Sequence, residues 1–161
     1  MAVDLCCMGE ISAPPPEAGE VEVLAQAALE ALGRPEAELS VVLTDDATIQ
    51  RLNRDYRGID SPTDVLSFAQ QEAVVPDQAV LGDLIISLTT AQRQADERGH
   101  LLSAEVRILL VHGLLHLFGH DHQTDEERGR MVEAEQALLA ALPHGAEAPT
   151  NTGLVSREGD S

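Results

Sequence analysis

The sequence predicts an α+β fold, a small four-stranded mixed sheet packed with about five helices. Three observations carry this expectation. Strand-like runs and amphipathic segments alternate through the first half, while helix-periodic segments fill the second, giving the order β-α-β-α-β-β-α-α-α. At 161 residues the chain has the length of one ordinary domain. No internal repeat divides it. The expected organisation is one domain over 1–142 and a loose, disordered tail over 143–161, where "PHGAEAPTNTGLVSREGDS" loses all periodicity.

Taken in order, "AVDLCCM" reads as a strand. "EVEVLAQAALEALG" reads as a helix with Val21, Leu24, Ala25, Ala28 and Leu32 on one face and Gly33 at its end. "ELSVVLTDD" is a β-branched strand entering a helix that Thr44 or Asp45 would cap, with Ile49 and Leu52 facing inward. "GIDSPTD" has turn chemistry, "VLSFA" is a short apolar strand, and "AVLGDLIISL" is another, in which Gly82 suggests a bulge or a close backbone approach. "TTAQRQADERG" is a polar helix closed by Gly99. "SAEVRILLVHGLLHLFG" runs from a Ser103 cap to Gly119 beyond its end. "TDEE" has the form of a capping box, Thr124 with Glu127, leading a helix with Met131, Ala134, Leu138 and Ala141 as its inward stripe.

Composition narrows the function classes. Net charge is −18, and every basic residue is arginine. A broad phosphate-gripping surface is therefore not expected, because such surfaces depend on clustered positive charge. The arginines that do cluster are Arg51, Arg54 and Arg57. The adjacent Cys6 and Cys7 would point to opposite faces of a strand and make a poor disulfide, which suits a reducing cytoplasm. No signal-like N-terminus and no apolar run near the ~18 residues of a membrane span is present, so a cytoplasmic protein with no membrane partner is expected.

The chemistry is concentrated in "VHGLLHLFGHDH". His112 and His116, four apart, lie on one face of a helix and can aim ring nitrogens at one ion. Gly119 can turn the chain back and bring His120 or His122 to the same point. The spacing H-x-x-x-H-x-x-G-x-x-H, the layout of metzincin metal helices set in a cleft, favours His122. Three imidazoles leave a fourth zinc position for water, whose pKa the metal lowers to about 7. Zinc is the expected ion, one per chain, although an all-nitrogen site would also accept other divalent metals. His100 and His144 have no such company and read as loop residues. A metzincin protease needs glutamate after the first histidine, and here that position is Gly113. A mid-helix glycine implies close packing or room for a bulky substrate.

"HGLLHLFGHDH" resembles the H-G-x-L-H-L-x-G-x-D-H signature of the YbeY family, bacterial metal-dependent single-strand endoribonucleases of ribosomal RNA maturation. "LNRDYRGIDSPTDVLSF" at 52–68 and "LGDLIIS" at 81–87 are similar to two further blocks of that family, and the resemblance runs from about residue 40 to 142. It implies zinc ligands at His112, His116 and His122, and a functional arginine at Arg57. With His112 and Arg57 taken as catalytic, zinc-activated water or a substrate 2′-hydroxyl would attack phosphorus while the guanidinium steadies the charge. Arg51 and Arg54 are weaker substrate-binding candidates, and Asp121 is a weaker candidate for orienting a ligand histidine. On local grounds Arg57 could equally pair with Asp60 or Asp64. Asp64, Ser67 and Asp83 sit in the matching blocks and could brace the cleft.

The resemblance further implies single-stranded ribosomal RNA as substrate, the 16S 3′ end and ribosome quality control as setting, and the small ribosomal subunit with its proteins as partner, with no DNA. The chain's aromatics, Tyr56, Phe68 and Phe118, offer few platforms for base stacking. Two alternatives remain open from the residues. One is a different metallohydrolase, a peptidase or small-molecule hydrolase. The other is an assembly factor whose metal is mainly structural.

Overall fold

The computed structural model describes residues 3–9, 18–69, 80–118 and 124–142. Among the described residues nine elements follow one another in the expected order: β1 (Val3–Cys7), α1 (Ala18–Ala31), β2 (Glu38–Thr44), α2 (Asp46–Arg57), β3 (Val65–Ala69), β4 (Val80–Ser87), α3 (Leu88–Arg98), α4 (Leu102–Leu117) and α5 (Asp125–Ala141). The strands form one mixed sheet in the order β1-β2-β4-β3, with β1, β2 and β4 parallel and β3 antiparallel on the edge.

Alternation along the strands divides the core in two. Leu39, Val41 and Leu43 of β2, Leu84 and Ile86 of β4 and Val65 of β3 join residues of α1, α4 and α5 in the main core. The opposite face carries Leu66 and Ile85, covered by Ile49 of α2. Helix α4 is buried on every side from Ala104 to Leu115, as a helix between a sheet and other helices must be. No single helix among the described residues is long and apolar enough to cross a membrane.

Several local expectations resolve in physical terms. Asp45, not Thr44, caps α2, accepting from the Thr48 N–H at 2.8 Å. Thr44 remains in β2 and donates its hydroxyl to Met8 O. The Thr124–Glu127 capping box of α5 is present in both directions. Ser103 does not cap α4, which begins two residues earlier than such a cap implies, at Leu102 behind Leu101 without a side-chain cap, and the helix ends at Leu117. The inward stripe of α5 is Met131, Glu135, Leu138 and Leu139, whereas Ala141 is exposed. Ala134 is half-buried against the same core, and the glutamate on the stripe is one that an apolar-only pattern does not mark. Gly82 meets both expectations. The β2–β4 register skips a residue beside it, and at φ +147° an added Cβ would collide with the Phe68 carbonyl across the strand pair.

Candidate metal and phosphate site

The interior end of the site is made on α4. His112 is fully buried, and its Nδ1 lies 3.1 Å from Oε2 of Glu135, which is 1% exposed. A carboxylate only accepts, so His112 donates from Nδ1, and in the neutral ring this leaves the lone pair on Nε2. That nitrogen faces His116 Nε2 at 3.2 Å. Two imidazole lone pairs this close repel unless a proton or a cation lies between them. Nitrogens bound tetrahedrally to one zinc at about 2.05 Å would be about 3.3 Å apart, so the pair fits two ligands of one ion. Glu135 supplies what a ligand histidine ordinarily has on its far nitrogen, an acceptor that fixes tautomer and ring plane. Among the described residues no third His, Cys, Asp or Glu completes the set. His120, Asp121, His122 and Gly119 lie outside the described residues, as do His144 and the 143–161 tail.

Gly113 owes its place to packing. A Cβ there would come within 2.8 Å of Leu84 Cδ2 and 3.2 Å of Val65 Cγ2, so only glycine lets α4 lie this close to β3 and β4. The approach also lets Ser67 Oγ donate to the Gly113 carbonyl at 3.2 Å.

The exposed end of the site is made on α2 and the sheet edge. Gly58, left-handed at φ 73°, ends α2 directly after Arg57. The Arg57 guanidinium donates to Ser67 O at 2.6 Å and lies over the Phe68 ring, 5.5 Å from its centre. It pairs with neither Asp60 nor Asp64 in any described contact. Asp60 accepts from Gln50, and buried Asp64 accepts from the Val65 N–H and Gln94. Ser87 N donates to Asp64 O, which sets the parity of the antiparallel β3–β4 ladder and turns the Ser67 carbonyl outward. Arg57 thus covers a hydrogen-bonding group on an open sheet edge. Ser67 joins the two ends, taking the arginine on its carbonyl and bonding the histidine helix through its hydroxyl.

The remaining candidates separate from this centre. Arg51 is exposed, and Arg54 turns to its neighbour Asp55 at 3.2 Å. His100 is more than a loop residue: its Nε2 lies 2.7 Å from Oε1 of the buried Glu105, which also pairs with Arg98. Glu135 is the buried partner of His112 that the sequence did not disclose. Its signal was present, a carboxylate four residues after Met131 and four before Leu139 on a face that otherwise enters the core.

Comparison with known proteins agrees with these features. The Endoribonuclease YbeY family model matches residues 17–143. The chain is 50% identical over 132 residues to Endoribonuclease YbeY of Heliobacterium modesticaldum, covering 74% of this chain and 79% of the relative. It is 44% identical over 158 residues to the Endoribonuclease YbeY of Paramagnetospirillum magneticum, covering 91% and 96% of the two chains. The solution structure of TM1509 from Thermotoga maritima is similar at a TM-score of 0.59 and 25% identity, covering 86% of this chain and 87% of that one. With a family model spanning most of its length and relatives this similar, the chain belongs to the YbeY family of endoribonucleases.

Proposed function

We propose that this protein is a zinc-dependent endoribonuclease that cuts single-stranded RNA in the cytoplasm, with His112, His116 and His122 holding the metal and Arg57 binding the scissile phosphate. Its setting on this reading is maturation of the 16S 3′ end and ribosome quality control, with the small ribosomal subunit presenting the strand. The observation that carries it is the coupling through Ser67 of an arginine fork to a pair of converging imidazoles backed by a buried carboxylate.

Each residue has a definable task. A bound zinc ion would act as Lewis acid toward a phosphoryl oxygen and acidify water or a 2′-hydroxyl. Glu135 holds the His112 ring by its Nδ1, leaving Nε2 available to a metal. The planar guanidinium of Arg57 has five N–H donors, of which the Ser67 carbonyl takes one. The others can reach the non-bridging oxygens, where negative charge grows as phosphorus becomes five-coordinate. The cation–π contact with Phe68 and the Ser67 bond restrain the fork before substrate arrives. At −18 overall the protein gains little from non-specific attraction to RNA, which is why delivery by a ribosomal partner forms part of the proposal.

A peptidase on the same histidines has less support. Gly113 stands where the general base would be, and two outward groups of β3 are already engaged, Ser67 O by Arg57 and the Val65 N–H by Asp64. A peptide substrate that paired with this edge would have to displace them. The deciding experiment offers single-stranded ribosomal RNA and a mixed peptide library to the same preparation and analyses product ends. RNA cleavage with intact peptides supports the proposal, and a 2′,3′-cyclic phosphate end would assign the 2′-hydroxyl as nucleophile. Peptide cleavage without RNA cleavage would overturn it.

A further inference from the structure

Across the sheet from α4, residues of α2, β3 and β4 enclose a cleft of about 270 Å³, lined among the described residues by Tyr56, Phe68, Asp83 and Ile85. This is smaller than the roughly 300–1,000 Å³ of pockets that enclose a drug-sized molecule. Two of its four described lining residues are aromatic. Tyr56 is 69% exposed and meets Phe68 edge to face with ring centres 5.6 Å apart, and Arg57 covers part of the same Phe68 ring. The fold alone does not require an exposed tyrosine there.

Asp83 is the unusual member. It is half-buried on β4, opposite Phe68 on β3 and beside Ser40 on β2. The other inward carboxylates are held by donors: Asp46 by Ser87, Thr90 and Arg93, Asp64 by the Val65 N–H and Gln94, Glu105 by His100, and Glu135 by His112. Asp83 receives no hydrogen bond or ion pair from any described residue. A carboxylate repels an RNA backbone, so its presence in such a cleft calls for something it can accept from.

We propose that this cleft is a nucleobase subsite that receives one unstacked base of the RNA, guanine in preference, with its ring against the Tyr56–Phe68 pair and its amino edge on Asp83. The inference rests on the ribonuclease reading above. Guanine alone among the four bases presents two adjacent donors, N1–H and the N2 amino group, which match the two oxygens of a carboxylate. Uracil presents its one N–H between two carbonyl oxygens, which the carboxylate repels. Adenine and cytosine each offer an amino group next to an acceptor. Arg57, lying on the Phe68 ring at the rim, would meet a phosphate attached to the bound nucleoside.

The test measures fluorescence anisotropy of uridine pentamers carrying guanosine, adenosine, cytidine or uridine at the centre, 2′-O-methylated so that binding is read without cleavage. The guanosine pentamer binds wild type on the order of tenfold tighter than the all-uridine one. Asp83→Asn removes that difference by lowering the affinity for the guanosine pentamer, while the all-uridine pentamer binds no more weakly than to wild type. Tyr56→Ala, at an exposed position that tolerates truncation, lowers the affinity for the guanosine pentamer on the order of fivefold or more, and it decides the matter should Asp83→Asn fail to fold. Equal affinity for all four pentamers, preference for another base, or a guanosine advantage untouched by both substitutions overturns the subsite. Unmodified ribosomal RNA assayed with the same preparations separates the failures. Cleavage with flat pentamer binding sinks the subsite alone, whereas neither cleavage nor binding sinks the ribonuclease reading with it.

Discussion

Two groups of polar side chains, one on each face of the sheet, differ in how they are held. On the α4 face His112, Glu105, Arg107 and Glu135 are all buried and all bonded, Arg107 to the Leu139 and Leu142 carbonyls at the end of α5. Burial pushes the Arg107 pKa below its ordinary value, with Glu20 opposing that in part. On the α2 face Tyr56 and Arg57 are exposed, and Asp83 is half-buried without a described partner. The first face sets geometry and is expensive to disturb, because removing one partner strands the other in a dry interior. The exposed Tyr56 and Arg57 of the second contact solvent and can change with little effect on stability.

Substitutions should separate these faces sharply, and the largest effect belongs to Arg57→Ala. Losing one preorganised donor to a transition-state oxygen costs about 10²–10³ in rate, so cleavage should fall by roughly that factor. Urea unfolding should show a change within about 1 kcal/mol, since the side chain is exposed. Next, Glu135→Ala should lower stability by about 1–3 kcal/mol in urea titration, by leaving the buried His112 N–H without its acceptor. The same variant should weaken zinc affinity about 10–100-fold in a chelator competition. Gly113→Ala should destabilise by about 1–2 kcal/mol on the same scale. The new methyl must displace Leu84 and Val65, a cost of about 1–3 kcal/mol, against a helix-propensity gain of up to about 1 kcal/mol. Were Gly113→Ala stabilising, packing would not explain the glycine.

The smallest effect concerns acid stability. Burial tends to raise the Asp46 pKa, but hydrogen bonds from Ser87, Thr90 and Arg93, together with the arginine's charge, outweigh it and hold the carboxyl below its ordinary 3.8. A folded pKa below the unfolded one contributes stability that is fully present above pH 3.8 and is lost as pH falls through the folded value. Asp46→Asn should therefore flatten the fall in stability below that pH, measured by thermal melts between about pH 2 and 5, with little change in pH dependence above this range.

Much of this architecture was legible in the sequence, and the parts that were not share a cause. The order of elements, the Gly33 and Gly99 helix ends and the Thr124–Glu127 box follow from local chemistry, and the structure carries them. The convergence of His112 and His116 follows from helical spacing. What escaped depends on contacts between elements distant in the chain. Glu135 lies 23 residues from His112, and the Ser67–Gly113 bond spans 46. Periodicity assigns a face to each residue without naming what packs there. It could not tell Glu135 from a solvated acid, nor send Arg57 to a carbonyl on β3 instead of Asp60 or Asp64. Counting aromatics likewise undervalued Tyr56 and Phe68, which come together across one cleft.

The central claim, that a metal held on α4 and an arginine on the β3 edge act on one phosphodiester, is tested most directly by measuring bound zinc and single-stranded ribosomal RNA cleavage together in wild type, His116→Ala and Arg57→Ala. The account predicts about one zinc per chain in wild type and Arg57→Ala, little in His116→Ala, and cleavage in wild type alone. Cleavage by a zinc-loaded Arg57→Ala at the wild-type rate, or by a zinc-free His116→Ala, would contradict it.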